Sequence, residues 1–218
     1  MLATQFDANR IAFHRKMASA YHGFLSYLFI QNNGDVDLQR GLAETRNKFL
    51  SSYYIESQNA AVSPWLTDEV IRHYRGASRR YLLGDYYSEA ALRVLGSLSG
   101  VRDELRFEHV VPKGKGIKEA CEDSFRRGAP MTAENIASLL DTSWHIAVVT
   151  KTEDTDLRTS RAMPKAPSHG VFARYQKDDG NMIFPLLRSR EDGERCNEIL
   201  LASILKSLMK RQARSPTG

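Results

Sequence analysis

A change of hydrophobic periodicity near Gly100 limits what this chain can fold into more than any other feature. Before it, apolar residues recur at spacings of three and four; after it, short β-rich runs bounded by turn residues take over. Helix stripes and strand faces must then be buried against one another, which predicts an α+β fold. The expected order is a helical N-terminal part over residues 1–100, then an α+β unit over 101–218 with a β-hairpin and a C-terminal amphipathic helix. The two parts could equally form one continuous domain.

Four helical stretches are expected in the first part. Between Ile11 and Gln31, Phe13, Met17, Ala20, Tyr21, Phe24, Leu25, Leu28 and Phe29 form one stripe, ended by Asn33-Gly34. A second runs from about Val36 to Glu56, with Ser63-Pro64 in the break after it. A third begins at Thr67 with Asp68 and Glu69 in its first turn, where carboxylates suit the helix dipole, and ends at Gly84. The fourth spans about Tyr87 to Leu98.

In the second part, Leu105 to Val111 reads as a strand stopped by Pro112, and Lys113-Gly114-Lys115-Gly116 as a flexible basic loop. Helices follow over Ile117 to Arg126 and Ala133 to Leu140, the latter with Thr132 as N-cap. A second strand, Trp144 to Val149, runs into Thr150-Lys151-Thr152-Glu153, a capping-box pattern that starts a helix. Val171–Tyr175 and Met182–Leu187 flank Asp178-Asp179-Gly180-Asn181 as a predicted hairpin, and a helix from about Glu191 to Arg211 closes the chain.

Composition excludes several classes. With 42% hydrophobic residues among 218, including 9 Tyr, 9 Phe and 2 Trp, wholesale disorder is not expected. The most apolar segment, Phe24 to Ile30, is far short of a bilayer span, so no membrane partner is expected. The opening residues lack a basic start followed by an apolar run, and Cys121 and Cys196 are too few for a disulfide framework, so the expected compartment is the cytoplasm. The net charge of +5 comes from 31 Lys+Arg against 26 Asp+Glu, compatible with a polyanionic partner. Arg72, Arg75, Arg79 and Arg80 cluster within nine residues, and Arg suits bidentate phosphate contacts. A solvated helix face explains the cluster as well.

The arrangement that carries chemistry is Glu108-His109-Val110-Val111-Pro112 on the first strand, with a strand-to-helix junction about forty residues later. A carboxylate beside a histidine offers a metal-binding oxygen next to a group that takes a proton near neutral pH. The first turn of the later helix adds Glu153 and Asp154. Over about residues 105–157 this order resembles the HNH, or ββα-metal, endonucleases. The resemblance implies a ββα-metal-like unit and a nuclease that hydrolyses phosphodiester bonds in DNA, or RNA, with Mg²⁺ or Mn²⁺. It makes His109 the general base and Glu108 a metal ligand. Where that family commonly has His or Asn on the helix, this chain has Glu153 and Asp154, hard oxygen ligands suited to Mg²⁺. Lys113, Lys115 and the cluster Arg72, Arg75, Arg79 and Arg80 would bind the nucleic-acid backbone. A restriction, defence or toxin role follows by analogy.

The same residues have quieter explanations. His109 in an apolar strand can be a core histidine, and Glu153 is already accounted for as the capping partner of Thr150. Strand alternation puts Glu108 and His109 on opposite faces, so convergence on one ion requires the strand to bend or end there. The rival reading is a non-catalytic toxin or regulator that docks on nucleic acid or a protein partner, with a homodimer also open.

Overall fold

The run Ile146-Ala147-Val148-Val149 has no polar side chain to turn towards water, so it belongs inside a sheet covered on both faces. It takes that place. The computed structural model describes residues 2–32, 35–51, 65–74, 76–157, 167–177, 179–189 and 191–214. Its strands are β1 (Tyr86–Ser88), β2 (Leu105–His109), β3 (Ile146–Thr150) and β4 (Leu186–Arg188), in the spatial order β2-β3-β1-β4. β3 pairs antiparallel with β2, from Leu105 opposite Thr150 to His109 opposite Ile146, and parallel with β1. β4 pairs antiparallel with the far side of β1. The fold is mixed α+β, and a strand from before Gly100 stands beside β3.

That strand differs from the helix expected to begin at Tyr87. Tyr86-Tyr87-Ser88 is extended, and the helix starts only after Ser88, whose Oγ accepts the Ala91 N–H at 3.0 Å. The first helix begins earlier than its stripe suggests, whereas the second and third stretches are divided into shorter pieces. α1 (Leu2–Ser26) leads into a π-helical turn at Tyr27–Gln31. The second stretch contains α2 (Val36–Gly41), capped by Asp35, and α3 (Ala43–Lys48). Residues 52–64 and Arg75 lie outside the described residues. The third stretch splits into α4 (Asp68–Arg72), capped by Thr67, and a 3₁₀ segment, Gly76–Leu83. Then come α5 (Glu89–Ser97) and α6 (Val101–Glu104).

After β2, the expected basic loop is a π-helical turn, Lys113–Lys118, that runs into α7 (Glu119–Arg126). α8 (Ala133–Ser143) has Thr132 as its N-cap, as the sequence predicts, and α9 (Lys151–Asp156) carries the predicted capping box. The hairpin is formed only at its turn. Gln176 bridges Met182, and the Lys177 N–H donates to the Asn181 carbonyl at 2.8 Å. Upstream, Pro167–Tyr175 is 3₁₀ rather than strand, with Phe172 and Tyr175 packed on the sheet; Asp178 lies outside the described residues. α10 (Gly193–Arg214) ends the described chain.

The sheet separates two apolar layers. On one face Leu105, Phe107, Val148, Tyr87 and Leu187 pack under α5 and α10, with Ile146 and Trp144 continuing beneath α1, α7 and α8. α5 and α10 approach closely at Gly96, where a Cβ would collide with the Ser203 side chain and lie 2.9 Å from the Leu200 carbonyl oxygen. On the other face Tyr86, Val110, Ala147 and Val149 pack against Leu157, Phe172 and Tyr175. Among the described residues no helix is long and apolar enough to cross a membrane.

A buried ion pair fastens α1 to this frame. Arg10 and Asp85 are each 7% exposed and bonded through both guanidinium nitrogens, the Nη2 contact being 3.1 Å. Arg10 Nη2 also donates to the Trp144 carbonyl at 2.7 Å, and Asp85 Oδ2 accepts the Ile146 N–H at 2.8 Å. His14 Nδ1 lies 2.6 Å from Asp141 Oδ1 beside them.

Candidate functional site

The pleat decides what Glu108 can meet. β2 remains in register with β3 through His109, so consecutive side chains leave on opposite faces. Phe107 joins the layer under the helices and Val110 the opposite one; Glu108 therefore shares the Val110 face and His109 the Phe107 face. Glu108 and His109 both line a cleft of about 530 Å³, together with Pro112, Lys113, Gly114, Glu119 and Arg174.

Within the cleft, Glu108 is held by one charged neighbour and opposed by another. Arg174, delivered by the 3₁₀ segment, donates from Nη1 to Glu108 Oε2 at 2.9 Å and to the His109 carbonyl at 3.3 Å. Asp154, on α9, is near enough for its charge to act on Glu108. Burial raises the Glu108 pKa above the usual carboxylate range; Arg174 pulls it down and Asp154 pushes it up again. The short helix after β3 thus folds back over β2 and sets one carboxylate against another, flanked by a cation. Tyr175, next to Arg174, has a buried hydroxyl without a partner among the described residues, and burial followed by the charge of Glu108 raises its pKa.

The other expected site residues fall in different places. His109 is driven down to about 4 by burial, with Lys113 and Arg174 adding to the effect, so its ring is neutral at physiological pH. Its Nε2 is sealed from solvent without a hydrogen-bond partner among the described residues. Glu153 Oε2 accepts from Thr150 N at 2.9 Å, from Thr150 Oγ1 at 3.0 Å and from Ser88 Oγ at 2.6 Å. Glu153 is therefore engaged in tying α9 to the start of α5. Lys113 lines the cleft, its pKa lowered by burial and then by Lys118. Of Lys115 only the backbone, in the π-helical turn, is described.

The arginine cluster is dispersed. Arg72 is exposed, with Nε donating to the Asp68 carbonyl at 3.3 Å, and Arg79 is exposed on the 3₁₀ segment. Arg80 lies 5.0 Å from the Tyr81 ring centroid and 5.5 Å from that of Phe107; those rings stack at 4.6 Å. Arg80 thus borders the strand that carries Glu108. Sequence reasoning missed Arg174 and Tyr175, since nothing in Val171-Phe172-Ala173-Arg174-Tyr175 sets them apart from an ordinary strand.

Glu108 and Asp154 are hard oxygen donors of the kind a divalent cation takes, and Arg174 offsets part of the charge at Glu108. No cluster of three or more acidic, His or Cys ligands occurs among the described residues. Searches of family models, curated proteins and solved structures find no match.

Proposed function

We propose that the protein is a divalent-metal-dependent nuclease acting on phosphodiester bonds, with DNA as the favoured substrate, and that Glu108 and Asp154 are the heart of its site. The observation that carries this reading is Glu108, lining a cleft with Lys113 and Arg174 and bonded by Arg174, with the Asp154 charge near enough to raise its pKa. Glu108 and Asp154 would hold Mg²⁺ or Mn²⁺; when bound, such a cation places positive charge against the scissile phosphate and makes an attacking water more acidic. Arg174 fixes the Glu108 carboxylate by a 2.9 Å bond and, with Lys113, favours the negative phosphate. His109 has a packing role in this scheme, its Nε2 being sealed. Arg72, Arg79 and Arg80 would meet the backbone outside the cleft.

The test is cleavage of supercoiled plasmid and of RNA with Mg²⁺, Mn²⁺ or EDTA. Expected is metal-dependent nicking, reduced by at least ~10²-fold in Asp154→Asn and retained in His109→Gln. Loss in His109→Gln with retention in Asp154→Asn would restore the histidine as base. Absence of cleavage with every metal sinks the enzyme and leaves a nucleic-acid- or protein-binding toxin or regulator.

A further inference from the structure

Among the described residues β2 is an edge strand, and its outward row of backbone groups is defined by the register. The Val110 N–H donates inward to the His145 carbonyl at 3.0 Å. In an antiparallel ladder the inward groups alternate, so Glu108 and Arg106 also bond towards β3, while Phe107 and His109 present theirs outward; the Leu105 N–H is already given to the Val101 carbonyl, which leaves only its carbonyl in the outer row. The two ends of that outer row have side-chain partners: the Leu105 carbonyl accepts from Arg106 Nη1 at 2.8 Å, and the His109 carbonyl from Arg174. The strand is centred on Phe107, with two residues on either side.

We propose that this edge pairs with the same edge of a second copy of the chain, antiparallel about a two-fold axis at Phe107. The strand reads Leu105-Arg106-Phe107-Glu108-His109, which is charge-complementary to itself when reversed. With Phe107 opposite Phe107, Arg106 of each copy stands opposite Glu108 of the other, twice over. Opposite charges facing each other across a ladder are favourable, and like charges there are unfavourable. Parity agrees: Phe107 has outward N–H and C=O groups, so the central pair is hydrogen-bonded, and the Arg106–Glu108 pairs occupy the closer, non-hydrogen-bonded positions. Such a ladder is isologous, as a closed dimer requires, and it covers an edge that would otherwise template aggregation. The second copy would also place its Arg106 beside Glu108, in the cleft. Two Arg80 groups, each over its own Tyr81–Phe107 stack, oppose one another near the axis, and the edge is only five residues long; the expected dimer is therefore concentration-dependent.

The inference does not rest on the nuclease reading, and its test needs no activity. Wild type is expected to move from monomer to dimer with concentration in sedimentation and light scattering. Arg106→Glu, which sets Glu against Glu twice, should remain monomeric, and Arg106→Glu/Glu108→Arg should dimerise again, with circular dichroism confirming that each is folded. Register is read separately by Arg106→Cys and Glu108→Cys proteins: mixed and oxidised they should form a disulfide-linked pair, whereas neither should link to itself, because identical positions lie two residues apart along the ladder. Wild type that is monomeric at its highest soluble concentration overturns the proposal. So does a dimer that Arg106→Glu leaves intact, or cysteine linkage equally strong without mixing.

Discussion

Arg10–Asp85 and Arg174–Glu108 are the same chemical pair in two settings. Asp85, 7% exposed, has both oxygens engaged by Arg10 and a third bond from the Ile146 N–H. Glu108, 24% exposed, receives one guanidinium nitrogen and has Asp154 against it. The first carboxylate is saturated and holds α1, β1 and β3 together. The second stands in an arrangement that would be more comfortable with less negative charge. Saturation and solvent access, rather than residue type, separate a fastening from a site.

The largest test of this contrast is to remove one partner from each pair. Asp85→Ala leaves the Arg10 guanidinium buried without its counter-charge and should cost about 3–5 kcal/mol of unfolding free energy, measured by urea denaturation. A loss below about 1 kcal/mol would mean that Arg10 finds solvent and the pair does not hold α1.

Next in size is a pH effect from the same buried end. His145, 3.9 Å from Asp85, is brought down to about 4 by burial, against the pull of Asp85. The folded state therefore binds fewer protons than the unfolded state between about 4 and 6.5, so stability is complete above that window and falls as pH drops through it. The decline should be on the order of 2 kcal/mol for this group, with His109 contributing in the same direction. His145→Asn should flatten the curve of melting temperature against pH; an unchanged slope would assign it to other groups.

How much of this was legible in the sequence depends on the range of the interactions. Local signals read well: the caps at Thr132 and Thr150, the apolar strand before Thr150 and the strand that begins at Leu105 lie in the chain much as their residues predict. The pleat also gave fair warning that Glu108 and His109 would part. What could not be read was set by contacts distant in sequence. Tyr86-Tyr87-Ser88 is strand because β3 and β4 flank it, although its three residues continue naturally into a helical pattern. Val171–Tyr175 alternates like a strand yet coils into 3₁₀ form, which brings Phe172 and Tyr175 onto one sheet face and Arg174 to Glu108. Arg10 and Asp85 are 75 residues apart and carry no spacing signal at all.

Smaller, and opposite in sign, is the stability effect of Glu108→Gln. Its raised pKa means that Glu108 contributes stability below its unfolded value and loses it as pH rises through the folded value. At pH 7 the neutral amide should therefore be as stable as wild type or better, by up to about 1 kcal/mol, and the advantage should vanish near pH 4. Nuclease activity should fall in the same protein, the combination expected where a site carries destabilising charge for function. Destabilisation at pH 7 of the size expected for Asp85→Ala would place Glu108 with the fastenings.

The smallest expected effect concerns Arg80, which the sequence groups with Arg72 and Arg79 but the fold sets apart. Its guanidinium rests over the Tyr81–Phe107 stack, 5.0 Å and 5.5 Å from the two centroids, with Nη2 3.2 Å from the Tyr81 hydroxyl. Exposed cation–π contacts contribute about 0.5–1 kcal/mol, so Arg80→Ala should lower stability by that amount and Arg79→Ala by less than about 0.5 kcal/mol. Equal losses would make the stack incidental. If Arg80 also meets nucleic acid, its removal should weaken binding and reduce the salt dependence by about one phosphate contact, because each neutralised phosphate releases its own counterions. Arg79, free of the aromatic pair, should give the same change in salt slope with almost no change in melting temperature, so measuring both quantities on both variants separates holding the strand from holding a polyanion.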